Sequence, residues 1–156
     1  MKPPHGIKEV REVYGDVVLG KIDGKVDIIA PHGWESANCL VIRDLPKFGP
    51  RPLYIHKKIE APLRAALAAA LLRCPDYAIR TMGCFCPRAK RTGSGDPSLH
   101  SWAVAVDINA STNPMGDKLV SDMPPDFIAC FTEQGWTWGG KFSRPDAMHF
   151  QYASGY

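Results

Sequence analysis

The sequence predicts an α+β fold in which helices flank a small antiparallel sheet. Helical segments and short runs of β-branched residues follow one another without the regular strand–helix–strand alternation that is typical of a parallel sheet. One segment is rich in alanine and leucine, which favours a helix, and two tryptophans spaced two residues apart indicate a strand. A length of 156 residues suits one hydrophobic core, so residues 1–156 are expected to form a single domain.

The first forty residues contain a predicted helix and two predicted strands. Residues 4–13 are expected to form a short helix that ends near Gly15, because glycine commonly follows the last turn of a helix. Residues 26–30 and 40–42 are rich in valine, isoleucine and leucine, and they are expected to form strands.

The clearest helix covers residues 56–73 and is stopped by Cys74 and Pro75. Pro62 lies inside this segment, and proline is best tolerated in the first turn, so the regular helix is expected to begin near Pro62. Its predicted apolar stripe consists of Ile59, Leu63, Ala66, Leu67, Ala70 and Leu71.

The second half of the chain alternates strands, a loop and a helix. Residues 77–82 are expected to form a strand, and residues 88–97 a loop that is rich in glycine. Residues 103–108 are expected to form a strand, and residues 124–134 a helix that begins at prolines and is stopped by Gly135. On the second strand, alternation places Ala103, Ala105 and Asp107 on one face and Val104, Val106 and Ile108 on the other.

Composition and charge exclude several classes of protein. Hydrophobic residues make up 45% of the chain and charged residues 22%, which argues against disorder and coiled coil. The longest apolar run, residues 65–72, is far shorter than the roughly 20 residues that cross a bilayer. The first residues lack the apolar segment of a signal peptide, so we expect synthesis in a cytosol without export by that route.

The net charge of +3 is too small to predict nucleic-acid binding by itself. Basic residues are concentrated between Lys57 and Arg91, which leaves two interpretations open: a surface that meets an anionic polymer, or an ordinary solvated face. We expect no nucleic-acid partner, no membrane insertion and a monomer.

Five cysteines are present, and without an export signal they are expected to be reduced thiols. Cys84 and Cys86 are spaced like a pair of metal ligands. The other cysteines are scattered, however, whereas a structural zinc site needs four ligands that usually come in closely spaced pairs. A cysteine zinc site is therefore not expected.

Two histidines and two aspartates suggest a catalytic metal site. His100, Asp107 and His149 can supply two imidazoles and one carboxylate to zinc, which leaves the fourth position to water. Asp146 precedes His149 by three residues, so on one helical turn the two side chains would point the same way. Asp146 could then act as a general base without being a ligand.

An arginine near such a site would stabilise a developing oxyanion. Arg88, which follows the two closely spaced cysteines, is the first candidate, and Arg91 is its competitor.

These residues resemble the zinc D-Ala-D-Ala carboxypeptidases and dipeptidases of the VanY/VanX type, and most closely their phage endolysin branch, the L-alanyl-D-glutamate endopeptidases. The first family signature is Ser-x-His-x-x-Gly-x-Ala-x-Asp, and the second is Gly-Trp-x-Trp-Gly-Gly followed by Asp-x-x-His-Phe. The matching residues are Ser98, His100, Ala105, Asp107, Gly135, Trp136, Trp138, Gly139, Gly140, Asp146, His149 and Phe150. Ala103 replaces the family's glycine, which we interpret as local repacking.

The resemblance implies a hedgehog/DD-peptidase-like fold, with His100, Asp107 and His149 as ligands of one zinc ion and Asp146 as the general base. The family's arginine follows a glycine and an aromatic residue, a pattern that Arg88 matches only loosely. The opening residues, Pro4-His-Gly-Ile followed by Tyr14-Gly-Asp16, also resemble phage lysins of this group.

The implied function is a zinc metallopeptidase that hydrolyses a stem-peptide bond of bacterial peptidoglycan, with L-Ala-D-Glu as the favoured bond. Such an enzyme would wait in the host cytoplasm and reach the cell wall after membrane permeabilisation. Two alternatives remain open: a D-Ala-D-Ala carboxypeptidase or dipeptidase with the same ligands, and a non-catalytic cell-wall-binding module that zinc stabilises.

Overall fold

A computed structural model describes residues 1–91 and 95–156, and its mixture of helices and antiparallel strands agrees with the predicted α+β class. The helices in these ranges are α1 (Gly6–Tyr14), α2 (Trp34–Asn38), α3 (Glu60–Arg73) and α4 (Pro125–Thr132). The strands in these ranges are β1 (Val18–Ile22), β2 (Lys25–Ile29), β3 (Cys39–Ile42), β4 (Leu53–His56), β5 (Met82–Gly83), β6 (Ala105–Ile108), β7 (Thr137–Trp138) and β8 (His149–Gln151).

The described strands form three separate sheets. β1 pairs with β2 and β3 pairs with β4, each as a two-stranded antiparallel sheet. The third sheet has four strands in the order β5-β6-β8-β7, and every neighbouring pair is antiparallel. This central sheet carries two of the predicted metal ligands, Asp107 on β6 and His149 on β8.

The longest helix differs from the prediction at its start. A 3₁₀ turn covers Lys57–Ile59, and α3 begins at Glu60 because the preceding residues pair with β3 as strand β4. Pro62 therefore lies in the first turn of α3, where its missing N–H costs no hydrogen bond.

The predicted stripe of α3 is buried except at its end. Ile59, Leu63 and the next three members of the stripe have no exposed surface, whereas Leu71 is 49% exposed. At 100° per residue, Leu71 lies roughly 100° from the centre of the buried face, so its assignment to the stripe was wrong.

The strand predicted at residues 77–82 is also wrong, since only Met82 and Gly83 pair with β6 in this region. The backbone just before them is paired by a side chain instead. The Asn109 carboxamide accepts hydrogen bonds from the backbone N–H groups of Arg80 and Thr81, and donates to the carbonyl of Ala78. These contacts occupy the polar groups that a longer strand would have offered to its neighbour.

One face of the central sheet forms the core with α4. Val106, Ile108 and Phe150 have no exposed surface. Phe150 packs against Phe131 of α4, with ring centroids 4.4 Å apart, and Phe127 completes the aromatic cluster. The opposite face is thereby left to Ala105, Asp107, His149 and Gln151, which face one another across the β6–β8 pair.

The predicted strand at residues 103–108 begins two residues later, because Ala103 has a left-handed backbone with φ +55° and ψ 37°. It ends the 3₁₀ turn Leu99–Trp102 that carries His100. The interpretation of Ala103 as local repacking was therefore wrong. A left-handed backbone favours glycine, and alanine is retained here at a cost of about 1 kcal/mol.

The predicted loop and the predicted free thiols agree with the described ranges. Ala89 and Pro97 form an isolated bridge at the ends of the predicted loop, of which residues 92–94 lie outside the described residues. All five cysteines lie in the described ranges and are free thiols. No helix in these ranges is both long and apolar enough to cross a membrane.

Candidate active site

The structure brings His100, Asp107 and His149 together at one point. Asp107 and His149 are directly opposite each other on β6 and β8, so the sheet register itself makes them neighbours. His100 reaches the same point from the 3₁₀ turn that precedes β6. The Oδ1 atom of Asp107 lies 3.1 Å from Nε2 of His100 and 3.0 Å from Nδ1 of His149, and these two nitrogens are 3.1 Å apart.

In each histidine ring, the nitrogen that points away from Asp107 has a hydrogen-bond partner, and this partner shows which of the two ring nitrogens carries the lone pair. His100 Nδ1 lies 2.5 Å from the carbonyl oxygen of Cys84, which can only accept a hydrogen bond, so this nitrogen donates. His149 Nε2 lies 3.0 Å from Oε1 of Gln151, whose amide nitrogen donates to the carbonyl of Ala153. In the neutral rings, the nitrogens that face Asp107 therefore carry lone pairs.

Three lone-pair atoms at this spacing fit a divalent metal. Tetrahedral zinc with bonds of about 2.0–2.2 Å separates neighbouring ligand atoms by roughly 3.3 Å, close to the distances between these three atoms. Without a cation between them, the electron pairs would repel one another. The group formed by His100, Asp107 and His149 can therefore hold a metal ion. Among the described residues, it is the one cluster of three or more histidine, cysteine or acidic side chains with this ability.

The charges of the site lower the pKa of Asp107. Burial by itself raises the pKa of this carboxyl, but the two imidazoles beside it outweigh burial and hold the pKa well below its usual range. Asp107 therefore offers a carboxylate rather than a carboxylic acid to the metal position.

Asp146 lies beside the metal group in a turn rather than a helix, contrary to the local structure considered for it. The backbone N–H of His149 donates to the carbonyl of Asp146 at 3.1 Å, so a tight turn brings the two residues together. The backbone N–H of Asp146 donates to the carbonyl of Gly139 at 2.9 Å, and Asp146 bridges to Met115 on its other side.

The Asp146 carboxyl has an unpaired oxygen atom and a raised pKa. Its Oδ1 atom is buried and has no hydrogen-bond partner among the described residues. Burial raises its pKa, as does the nearby charge of Asp107, while His149, Arg91 and Arg88 act in the opposite direction and do not cancel the rise. An unpaired carboxylate oxygen can accept a hydrogen bond from a bound molecule.

A cleft of about 560 Å³ opens over these residues. Its lining includes Asp146 and His149 together with Arg88, Lys90, Arg91, Ser98, Leu99, Met115, Phe142, Ser143, Arg144, Gln151 and Tyr156. Both arginines considered as oxyanion partners therefore face the candidate site. Trp136 and Trp138 are buried outside this lining, as expected for core residues.

Arg88 belongs to a loop that is tied to the turn of His100. The Arg88 carbonyl accepts a hydrogen bond from Ser98 N at 2.8 Å, and its backbone N–H contacts the Ser101 hydroxyl at 3.2 Å. Ser98 caps the 3₁₀ turn by accepting from the backbone N–H of His100, and so helps to hold this loop. The guanidinium of Arg88 contacts only the neighbouring Ala89 carbonyl in the described residues, at 3.4 Å.

Residues 92–152 match the model of a family described as D-alanyl-D-alanine carboxypeptidase. The matched region is less than half of the chain, and it contains His100, Asp107, Asp146 and His149. Comparisons with curated proteins and with solved structures found no match.

Gln151 and the carbonyl of Cys84 were missed as parts of the site by the sequence reasoning. Gln151 could have been predicted from the sequence, because it lies two residues after His149 on a strand and therefore on the same face. The contact of the Cys84 carbonyl could not have been predicted, since any residue type would present the same backbone oxygen. The contact gives Cys84 a position beside the site that does not depend on its thiol.

Proposed function

We propose that this protein is a zinc-dependent peptidoglycan peptidase of the phage endolysin type that hydrolyses a stem-peptide bond, with L-Ala-D-Glu as the favoured bond. The convergence of the ligand atoms of His100, Asp107 and His149 next to the unpaired, buried Oδ1 of Asp146 carries the proposal. The family match over residues 92–152 supports the peptidase class.

Zinc, when bound, supplies a Lewis acid and lowers the pKa of a coordinated water towards neutrality. His100, Asp107 and His149 would hold the ion, while the Cys84 carbonyl and Gln151 keep the two rings in the orientation that presents a lone pair.

Asp146 accepts a proton from the attacking water through its free Oδ1 and delivers that proton to the leaving amine. Arg88, or Arg91 in its place, donates to the substrate carbonyl oxygen as that atom gains negative charge. Both arginines line the same cleft as Asp146, which supports this role.

The test is turbidity loss of purified peptidoglycan sacculi with and without a chelator, followed by addition of zinc. We expect lysis that the chelator abolishes and zinc restores. Asp146→Asn should lower the rate by about 10²- to 10⁴-fold while retaining zinc. The matched control is Asp23→Asn, an exposed residue of the β1–β2 turn with φ +49°, where asparagine is equally suited.

A D-Ala-D-Ala carboxypeptidase is the second candidate, because that activity is the description of the matched family model. Product masses after digestion distinguish the two: free D-alanine identifies the carboxypeptidase, whereas a new N-terminus on D-glutamate identifies the endopeptidase. Stoichiometric zinc in a folded protein that releases neither product would instead identify a non-catalytic zinc-stabilised module.

The endolysin part of the proposal places a monomeric protein in the host cytoplasm until the membrane is permeabilised. The resemblance of the opening residues around Pro4 and Tyr14 to phage lysins supports it. Expression in a bacterial host should leave cells intact until the membrane is permeabilised, and lysis should then follow. Lysis without permeabilisation would contradict this localisation.

A further inference from the structure

Arg88 and Arg91, the two candidate oxyanion partners, lie on the same loop. We call residues 88–98 the arginine loop, and its described parts are residues 88–91 and 95–98. Stabilisation of an oxyanion requires a donor at a fixed place, because a displacement of about 1 Å can cost roughly a hundredfold in rate. The contacts that hold this loop in place therefore bear directly on the chemistry of the candidate site.

Backbone contacts join the two arms of the arginine loop to each other. Ala89 and Pro97 form a bridge, and the backbone N–H of Lys90 donates to the Asp96 carbonyl at 2.8 Å. Both partners of each contact belong to the loop. These contacts shape the loop, but they do not set its position relative to the metal group.

Tyr156 contacts both arms of the arginine loop at once. Its ring centroid lies 3.2 Å from the Lys90 ammonium on one arm, and its hydroxyl donates to the Pro97 carbonyl at 2.5 Å on the other. The same ring meets Trp102 edge to face, with centroids 6.2 Å apart. Trp102 has no exposed surface and belongs to the 3₁₀ turn that carries His100. Tyr156 therefore ties both arms to the element that carries a metal ligand.

The arginine loop also reaches the segment that holds Asp146. A guanidinium nitrogen of Arg91 lies 3.8 Å from the sulfur of Met115, and Met115 bridges to Asp146. Tyr156, Arg88 and Arg91 line the same cleft as Asp146. The position in which Tyr156 holds the loop thus sets where both guanidinium groups lie relative to the candidate site.

We propose that Tyr156 is a positioning residue that fixes the arginine loop, so that the guanidinium of Arg88 or Arg91 is in place when the oxyanion develops. The inference rests on the proposed peptidase function and adds a residue that acts through the arginines. A cation–π contact on one arm and a hydrogen bond on the other restrict rotation of the loop as well as its displacement. None of the described contacts of the Tyr156 side chain involves a metal ligand, so zinc affinity should not depend on it.

Two substitutions separate the contacts of Tyr156. Tyr156→Phe keeps the ring and loses the hydroxyl, whereas Tyr156→Leu loses both contacts. The matched control is Tyr152→Phe, because the Tyr152 hydroxyl also donates to a backbone carbonyl at 2.5 Å, that of Met1, and Tyr152 lies outside the cleft lining. Competition with a chromophoric chelator should give the wild-type zinc affinity for all three variants, and circular dichroism checks that each is folded.

Limited digestion with trypsin tests the tether without any peptidase activity of the protein itself. Mass spectrometry follows cleavage after Arg88 and Lys90, relative to cleavage after Lys25, an exposed residue of a separate sheet. We expect relative cleavage in the loop to be at least about tenfold faster in Tyr156→Leu, intermediate in Tyr156→Phe and unchanged in Tyr152→Phe. Unchanged relative cleavage in Tyr156→Leu would overturn the proposal.

Kinetics on the peptide L-Ala-γ-D-Glu-L-Lys-D-Ala-D-Ala connect the tether to the arginines. We expect kcat of the zinc-loaded protein to fall by about 10- to 100-fold in Tyr156→Leu and by about 3- to 10-fold in Tyr156→Phe. KM should change by less than about twofold, because the oxyanion forms only in the transition state. In Arg88→Gln or Arg91→Gln, whichever has the lower kcat, Tyr156→Leu should add less than about a threefold loss, since the guanidinium that it positions is already absent.

The full loss from Tyr156→Leu in both arginine backgrounds would overturn the proposal, because Tyr156 would then act independently of the arginines. A fall in zinc affinity that matches the fall in kcat would overturn it as well. Faster cleavage of the loop in Tyr156→Leu, without hydrolysis of the peptide by the wild type or any variant, would support the tether and contradict the proposed function.

Discussion

At the scale of single residues, the candidate metal group depends on hydrogen bonds to the far side of each ring. Gln151 is 4% exposed and links His149 to the backbone of Ala153, so its amide cannot rotate without losing a buried hydrogen bond. The consequence is an imidazole whose Nδ1 is kept directed at Asp107 and His100.

Replacing Gln151 with leucine should weaken zinc binding by about 10- to 100-fold, because His149 loses the acceptor that orients its ring. Gln151→Glu keeps an acceptor and should recover most of the affinity. Competition with a chromophoric chelator measures the affinity, and circular dichroism confirms that each variant is folded. Gln134→Leu, at an exposed position after α4, is the control, and unchanged affinity in Gln151→Leu would contradict the role of Gln151.

At the scale of elements, the segment between β7 and β8 positions Asp146, the proposed proton acceptor. Gly139 follows β7, and a Cβ atom at this position would lie 2.6 Å from the Asp146 carbonyl oxygen and 3.1 Å from Cβ of His149. The close approach lets the Gly139 carbonyl accept from the backbone N–H of Asp146. The glycine that the second signature contains therefore has a steric reason here.

Gly139→Ala should displace the turn that carries Asp146, because the clash is with backbone that cannot rotate away. We expect a loss of about 1–3 kcal/mol of unfolding free energy and a larger proportional loss of hydrolysis. Chemical denaturation and a sacculus assay measure the two effects. Gly116→Ala is the control, since its Cβ would meet nothing closer than 3.6 Å, and equal behaviour of both variants would refute the steric explanation.

At the scale of the whole molecule, His56 joins the two halves of the chain. Its backbone N–H donates to the Ala103 carbonyl at 2.9 Å, next to the turn of His100, and its ring packs against Tyr14 of α1 with centroids 5.1 Å apart. Burial, reinforced by the charges of Lys58 and Lys57, lowers the pKa of His56 from 6.5 to about 4. His56 has no predicted catalytic role, and it is buried in its neutral form.

The lowered pKa predicts a loss of stability in acid. Between pH 6.5 and 4 the unfolded chain binds a proton at His56 that the folded chain does not, so stability falls as the pH falls through this range, by up to about 3 kcal/mol. His56→Asn keeps an acceptor for the backbone N–H of Lys58 and removes the titration. Denaturation curves across this range should show a flatter pH dependence for His56→Asn, and an identical slope would contradict the prediction.

The success of the sequence-based predictions followed the range of the interactions involved. Helix α4 and the glycine that follows it were predictable because prolines and a left-handed glycine act locally. The strand predicted at residues 77–82 failed because Asn109, about thirty residues away, supplies the hydrogen bonds. Strand β1 was not predicted at all, since its pairing with β2 leaves Val18 and Ile22 partly exposed without a clear apolar face.

The sequence by itself determined the identity and order of the chemical groups: two imidazoles, a carboxylate and a second carboxylate three residues before the last imidazole. Residue type and spacing settle these, because they depend on covalent structure alone. Only the tertiary structure decided that Asp107 and His149 face each other across β6 and β8, that Gln151 and Cys84 orient the rings, and that Tyr156 contacts both Lys90 and Pro97. Strand register and loop packing bring together residues that are tens of positions apart, and no local pattern specifies those contacts.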